Sequence, residues 1–312
     1  MNILITNIGR RTYFIDFLKE IKKKYKIIKI FVTDPNQNSA GILYDIGIKK
    51  IITPQALEGK KYINSLLKIS KKFKIDLIIP VSDHDLSLLS SNINLFKKIN
   101  TKILISSNKI IKICSNKILM SEFCKKNKFL TPKINSHINK ITNQYICKPI
   151  FGSGSEGLIL NNKDLNIKVV NKKKYIFQKK IIGKEYNIDI LNDLSGNYVA
   201  SCAKEKKIIR SGETDQAKII NSNSFQNFSK KLSKKLRHIG NLDCDIIVKK
   251  KKIFIIDLNP RFGGGYPFSH LVGQNYLKFI LEDILKKRKS NLKTLRKPYI
   301  LSKGISIHSK IK

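Results

Sequence analysis

The sequence predicts an α/β layer followed by an antiparallel α+β lobe, on three observations. Apolar strand-like runs and amphipathic helices alternate from residue 3 to about 108. Beyond a helix at about 109–126 the texture changes to strand pairs joined by short turns. The 312 residues, 41% hydrophobic and 27% charged, suit two domains, or one domain with an inserted lobe, and exclude a disordered chain.

Residues 3–8 (ILITNI) read as a buried strand and Gly9-Arg10-Arg11 as a turn. Residues 12–24 read as a helix with Phe14, Phe17, Leu18 and Ile21 on one face. A strand at 27–33 ends at Asp34-Pro35, and helix 61–72, strand 75–80, helix 84–96 and strand 102–106 follow. This order predicts a doubly wound parallel sheet over 1–108. Its strand ends set Gly9, Arg10, Asp34, Ser82 and Asp83 along a crevice. The turn lacks the GxGxxG fingerprint, so it is expected to face a substrate or to pack, and not to carry a dinucleotide.

The lobe over 109–180 holds the 109–126 helix, Thr131-Pro132, a strand at 144–149, the glycine-rich segment 152–157 and a second short strand after Gly157. Strands at 175–181, 186–191, 198–203, 246–249 and 253–258, with helices near 224–238 and 275–287, complete a lobe over 181–290. In the Lys-rich tail, 291–312, Tyr299-Ile-Leu and Ile305–Ile307 are candidate edge strands.

The net charge is +40, yet only seven of the 62 basic residues are Arg. Groove binders of nucleic acid favour Arg forks with interleaved aromatics, and scattered Lys does not supply them, so no specific nucleic-acid partner is expected. Five cysteines without CxxC spacing fit neither a disulfide framework nor a zinc site. The N-terminus lacks a leader pattern, and no run approaches the ~18 apolar residues of a membrane span. A cytoplasmic protein without a membrane partner is expected.

Gly152-Ser153-Gly154-Ser155-Glu156-Gly157 matches GxGxxG but lies between two strands. Its backbone N–H groups could fold over a phosphate chain, although such a hairpin taken alone is more often a plain turn. Lys148 on the preceding strand and Lys117 in the helix before it make a triphosphate site plausible. The strongest signal is Phe254-Ile-Ile-Asp257-Leu-Asn259-Pro260-Arg261-Phe-Gly-Gly-Gly265. Period-two geometry puts Asp257, Asn259 and Arg261 on one face, and a short turn at 249–252 brings Asp245 alongside. Mg²⁺ takes a few protein oxygens and completes its shell with phosphate and water, which Asp245, Asp257 and Asn259 suit, with Arg261 for an anionic intermediate. Residues 175–185 could clamp an adenine, with Glu185 accepting ribose hydroxyls. None of the five histidines shows ligand spacing, and His84 reads as a helix-start residue.

Taken together, Lys117, Lys148-Pro149, the 152–157 loop, Gln178 to Glu185, Asp245 and Asp257-x-Asn259-Pro-Arg261 resemble, in order and spacing, the ATP-grasp superfamily. The resemblance is to its carbamoyl-phosphate-synthase-large-subunit-like ligases and spans about residues 1–290, with a Rossmann-like domain before a two-lobed ATP-grasp fold. It implies ATP and Mg²⁺ as cofactors. Lys117, Lys148 and the loop (Gly152, Ser153, Gly154, Ser155, Gly157) would hold phosphates, and Gln178, Lys179 and Ile181 the adenine. Glu185 would bind ribose, Asp245, Asp257 and Asn259 two metal ions, and Arg261 the transferred phosphoryl group. Arg210, in Arg210-Ser-Gly212-Glu213, resembles a segment near the acceptor. Asp257 replaces a frequent Glu and Gln178 a frequent acid, so metal geometry or nucleotide preference could differ. The implied activity is a carboxylate–amine ligase acting through an acyl phosphate, its partners a small carboxylate and an amine, with a homodimer as a family-level expectation. Carboxyphosphate chemistry and an inactive ATP-binding module are the alternatives.

Overall fold

The computed structural model describes residues 1–44, 47–135, 144–152, 157, 174–210, 212–287, 292, 299–304 and 308. Its first layer is a parallel sheet ordered β3-β2-β1-β4-β5, made of β1 (Asn2–Thr6), β2 (Lys29–Asp34), β3 (Lys49–Ile52), β4 (Leu77–Pro80) and β5 (Lys102–Ile103). Strand alternation explains how it is covered. Ile3 and Ile5 face α1 (Thr12–Lys24), packing with Phe14, Ile15 and Leu18. Past α2 (Ala40–Leu43), α3 (Lys60–Lys72) lies on the other face, where Leu4 packs with Tyr62, Ile63 and Leu66. The edge strand β3 has no sequence expectation, because its Lys-Lys-Ile-Ile run is short and only partly buried.

Two expected helices are each split by an asparagine. The 84–96 helix is α4 (Asp83–Ser91) and α5 (Ile93–Lys97), parted at Asn92, whose Nδ2 donates to Leu88 O at 2.9 Å. The 109–126 helix is α6 (Asn108–Ser115) and α7 (Lys117–Lys126). Asn116 Oδ1 accepts from the N–H groups of Ile118 and Leu119 at 2.9 and 3.1 Å, starting α7 afresh as a side-chain cap.

β6 (Ile134–Asn135), β7 (Tyr145–Pro149) and β8 (Tyr175–Lys179) form a small antiparallel sheet ordered β6-β8-β7. A larger antiparallel sheet follows, ordered β13-β12-β9-β10-β11-β14. It comprises β9 (Lys184–Asn192), β10 (Tyr198–Arg210), β11 (Glu213–Ile220), β12 (Gly240–Lys249), β13 (Lys252–Asn259) and β14 (Ile300–Ser302). The edge strand expected at Tyr299-Ile-Leu is β14, paired with β11. β10 runs seven residues past its expected end at Ala203, and β11 was not foreseen. The segment expected as a strand at 305–307, the strand after Gly157, and Ser153, Gly154 and Ser155 lie outside the described residues.

α8 (Asn223–Leu236), α9 (Tyr266–Leu271) and α10 (Tyr276–Ile284) complete the α-helices among the described residues. α10 does not stay with its own sheet. Leu277, Ile280 and Leu281 join the core that holds α1 and β1, and Tyr25 Oη donates to Glu282 Oε1 at 2.7 Å. Phe14 meets Phe262 edge-on at 5.1 Å. One apolar core therefore binds the first layer to the segment after β13 and sets strand ends of the parallel sheet against that segment. No helix among the described residues is long and apolar enough to cross a membrane. All five cysteines are buried and unpaired.

Candidate functional site

The β12–β13 ribbon supplies the acids. Asp245 stands opposite Asp257 and Asp243 opposite Asn259. The register then jumps to Ile246 opposite Ile255, a bulge that takes Ile256 out of pairing beside the carboxylates. On the neighbouring β9, Asn187 Nδ2 donates to Asp243 at 2.5 Å and to Asp245 at 2.9 Å, and from β10, one strand further, Lys206 Nζ pairs with Asp245 at 2.8 Å.

Arg261 follows at once on β13, its side chain only 7% exposed. Nη1 pairs with Asp243 at 2.8 Å and Nη2 with Asp83, the first residue of α4. Burial disfavours Asp243's charge, but Arg261 and the Asn187 hydrogen bond together hold its carboxyl below the ordinary range. Burial likewise opposes the charge on Arg261, and Asp83 and Asp243 hold its pKa above the usual arginine value.

Two cavities adjoin these residues. A cleft of about 390 Å³ is lined by Lys117, Lys148, Gly152, Gln178, Lys179, Ile181 and Glu185, with Asp245 and Asp257 at one wall. A polar cavity of about 270 Å³ is lined by Arg10, Arg11, Asp83, Glu213, Asn259 and Arg261, again with Asp245 and Asp257. The pair of aspartates, Lys206 and Gly212 form the wall that the two spaces share. A third cavity of about 370 Å³ opens beside the polar one, with apolar walls from Leu86, Ile111 and Leu258.

Burial pushes Asp257 up to about 6, against the pull of Lys117 and Lys148. It pushes Lys148 down to about 8, against the pull of Asp257, and Lys117 lowers it further. Lys117 is buried at the first position of α7, where the helix dipole disfavours a cation, and its Nζ donates to Gly152 O at 2.7 Å. A residue placed against local preference in this way is characteristic of a functional constraint. Gly152, at φ +120°, needs glycine's freedom to turn the chain there.

The donor set fits a magnesium nucleotide. Gln178, which lines the cleft, is fully buried, its Nε2 donating to Pro132 O at 3.2 Å, while its Oε1 is buried with no hydrogen-bond partner among the described residues. Such an acceptor suits an exocyclic amino group. No group of three or more His, Cys, Asp or Glu that could hold a metal occurs among the described residues. Two opposed aspartates with Asn259 nearby instead suit a cation that keeps phosphate and water in its shell.

The residues singled out in the sequence distribute as follows. Lys117, Lys148, Gly152, Gln178, Lys179, Ile181 and Glu185 meet in the cleft, Asn259 and Arg261 in the polar cavity, and Asp245 and Asp257 between them. Gly157, at φ +67°, lines none of these spaces, and Ser153, Gly154 and Ser155 lie outside the described residues. Arg210 stands apart from these spaces. Register shifts at Ile208 and Ile209 alter the end of β10, and Arg210 pairs with Asp215 at 3.3 Å with its side chain 64% exposed, lining neither cavity. Its neighbours Gly212 and Glu213 do reach the polar cavity. At the other end, Gly9 N–H donates to Asp34 Oδ2 at 2.7 Å, so a side chain already occupies the donor that a phosphate would use.

Sequence reasoning missed Asp243, Asn187 and Lys206, although a signal for two of them was present. A Cβ at Gly263 would collide with the Asp243 carboxyl, one at Gly265 would come within 2.9 Å of Asn187 Oδ1, and one at Gly264 within 2.7 Å of Glu213 Cδ. The triple glycine gives three cavity side chains their room.

Residues 114–265 match the ATP-grasp domain family, and residues 3–104 match the PylC-like N-terminal domain family. No curated protein matches the chain. Among solved structures, N5-carboxyaminoimidazole ribonucleotide synthetase of Thermotoga maritima is 16% identical, with a TM-score of 0.68 over 96% of this chain and 79% of that one. Biotin carboxylase of Campylobacter jejuni is 16% identical, with a TM-score of 0.70 over 90% and 70%. L-amino acid ligase of Bacillus licheniformis is 15% identical, with a TM-score of 0.66 over 92% and 75%.

Proposed function

We propose that this chain, whose residues 114–265 match the ATP-grasp domain family and residues 3–104 the PylC-like N-terminal domain family, is an ATP- and Mg²⁺-dependent ligase joining a carboxylate to an amine through an acyl phosphate. The observation that carries this reading is the shared wall. A cleft suited to a nucleotide and a cavity suited to an acid meet at Asp245, Asp257 and Lys206.

In this reading residues 1–108 form the preceding domain, 109–180 a lid lobe and 181–290 the larger lobe, with 291–312 as a tail. Gln178, Lys179 and Ile181 seat the adenine, Glu185 the ribose, and Lys117 and Lys148 the phosphates. Asp245, Asp257 and Asn259 would hold Mg²⁺, which neutralises phosphate oxygens when bound. A carboxylate oxygen attacks the γ-phosphorus and ADP leaves. The amine nitrogen then attacks the acyl carbon, phosphate leaves, and the nitrogen loses a proton. Arg261, held by Asp83 and Asp243, faces the charge that builds on the phosphoryl oxygens, so catalysis is positioning and charge neutralisation. No side-chain nucleophile is required.

The test is ADP and phosphate release from MgATP with panels of carboxylates and amines, together with hydroxylamine trapping of the acyl phosphate as a hydroxamate. Acid-dependent release and trapping, both lost in Asp257→Ala, are expected. ATP binding without turnover under any mixture overturns the reading.

A further inference from the structure

Three of the chain's seven arginines, Arg10, Arg11 and Arg261, line the same polar cavity. Most charges there are paired. Arg261 faces Asp83 and Asp243, Lys206 faces Asp245, and Arg10 meets Glu213 at 3.3 Å. Among the described residues two of the lining Asp, Glu, Lys and Arg side chains have no ion pair, Asp257 and Arg11. Asp257 belongs to the proposed metal site and Arg11 to nothing yet described.

Arg11 is half-buried at the start of α1, and its Nε is buried with no hydrogen-bond partner among the described residues. Its neighbour Glu213 is shared between Arg10 and Lys303, the latter at 3.5 Å, so this end of the cavity has more cations than acids. Asp34 already takes the Gly9 N–H and Ile8 O the Arg11 N–H, so those two backbone donors are closed to an incoming anion, to which the turn offers guanidinium groups.

We infer that Arg11, with Arg10 beside it, is a carboxylate-binding subsite contributed by the N-terminal layer. At least one substrate is then an organic acid seated in the polar cavity against that turn. The inference rests on the ligase reading of the same cavity. A planar fork with no partner among the described residues matches a carboxylate's two oxygens, and leaving its Nε buried and unsatisfied is costly until an acceptor arrives.

With only seven arginines in the chain, the Nε–H signals can be followed individually by NMR. Succinate is the probe, added at low ionic strength with a non-hydrolysable ATP analogue and Mg²⁺ present. The Arg11 signal, assigned by its loss in Arg11→Lys, is expected to shift saturably while that of Arg237 stays still. Equal movement of both overturns the subsite.

In turnover, Arg11→Met is expected to raise the acid's KM at least 30-fold and the KM for ATP less than threefold, with Arg11→Lys partly restoring the acid. An acid KM within threefold of the parent overturns the subsite, as does an equal loss of ATP affinity. Unchanged kcat identifies the docked group as a second carboxylate on a substrate, and a parallel fall in kcat identifies it as the reacting one. If the parent protein turns over no acid at all, the ligase reading fails, and the NMR titration still decides the subsite. Thermal melts of both variants separate these effects from unfolding.

Discussion

Apart from Lys206, which lines both, the two adjoining cavities are lined by different cations. The cleft has Lys117, Lys148, Lys179 and Lys180, the polar cavity Arg10, Arg11 and Arg261. In a chain where Lys outnumbers Arg by 55 to seven, lysine is the default, and arginine concentrated in one cavity points to a need lysine does not meet. An ammonium is a compact point charge, adequate for phosphate oxygens arriving from several directions. A guanidinium is a planar fork that fixes the orientation of what it binds. By this contrast the cleft requires charge and the polar cavity requires geometry.

The largest effect is expected where the two spaces meet. Asp257→Asn keeps the side chain's size and removes its charge, and a loss of acid-dependent turnover of about 10³-fold or more is expected, beyond the ~10²–10³ of a single transition-state donor. The same variant should melt at a higher temperature above pH 6. The folded carboxyl titrates above its ordinary value, so ionisation disfavours the folded state at neutral pH and asparagine removes that penalty. A variant both inactive and less stable at pH 7 would make Asp257 a structural residue and separate the cavities chemically.

Exchanging the cations tests the contrast directly. Arg261→Lys can satisfy Asp83 or Asp243 but not both in the present fork geometry, and a fall of about 10²-fold in kcat/KM is expected. Lys148→Arg preserves a charge at the phosphates, and a rise of less than about tenfold in the KM for ATP is expected. Equal penalties for the two exchanges would refute the distinction.

The sequence was legible where chemistry coincided with a repeating pattern. Alternating apolar runs identified the parallel sheet, and period-two spacing on one strand placed Asp257, Asn259 and Arg261 together. It was less legible where partners come from different strands. Asn187 and Lys206 lie on β9 and β10 and reach the acids only through antiparallel register, which no local pattern encodes. Asp83 meets Arg261 across 178 residues of chain. Arg210 stands in the expected segment, but its strand is irregular at that end and its side chain pairs with Asp215 outside both cavities. The triple glycine after Arg261 was visible, but its meaning depends on which side chains press against it.

That cradle gives the next test. Gly263→Ala places a methyl group against the Asp243 carboxyl and should push it from Arg261. A cost of about 1–3 kcal/mol in stability is expected from the overpacking, with roughly tenfold lower kcat/KM for the acid-dependent reaction. ATP affinity, assigned to the cleft in the proposed function, should stay within about twofold. A matching loss of ATP affinity would show that the two spaces do not act separately.

The smallest effect is a pH profile that the two regions shape from opposite sides. In the free protein Lys148 titrates near 8, and a bound phosphate favours its ammonium form, so ATP affinity should be flat at neutral pH and weaken as pH rises through 8. Asp257 titrates near 6 and must be ionised to hold a cation, so Mg²⁺-dependent binding should weaken as pH falls through 6. Each limb approaches about tenfold per pH unit. Lys148→Arg keeps its charge through this range and should abolish only the alkaline limb, as read by calorimetric titration of MgATP between pH 5 and 9.5. If the alkaline limb survives in that variant, Lys148 is not the cation that faces the phosphates, and the lysine side of the contrast fails.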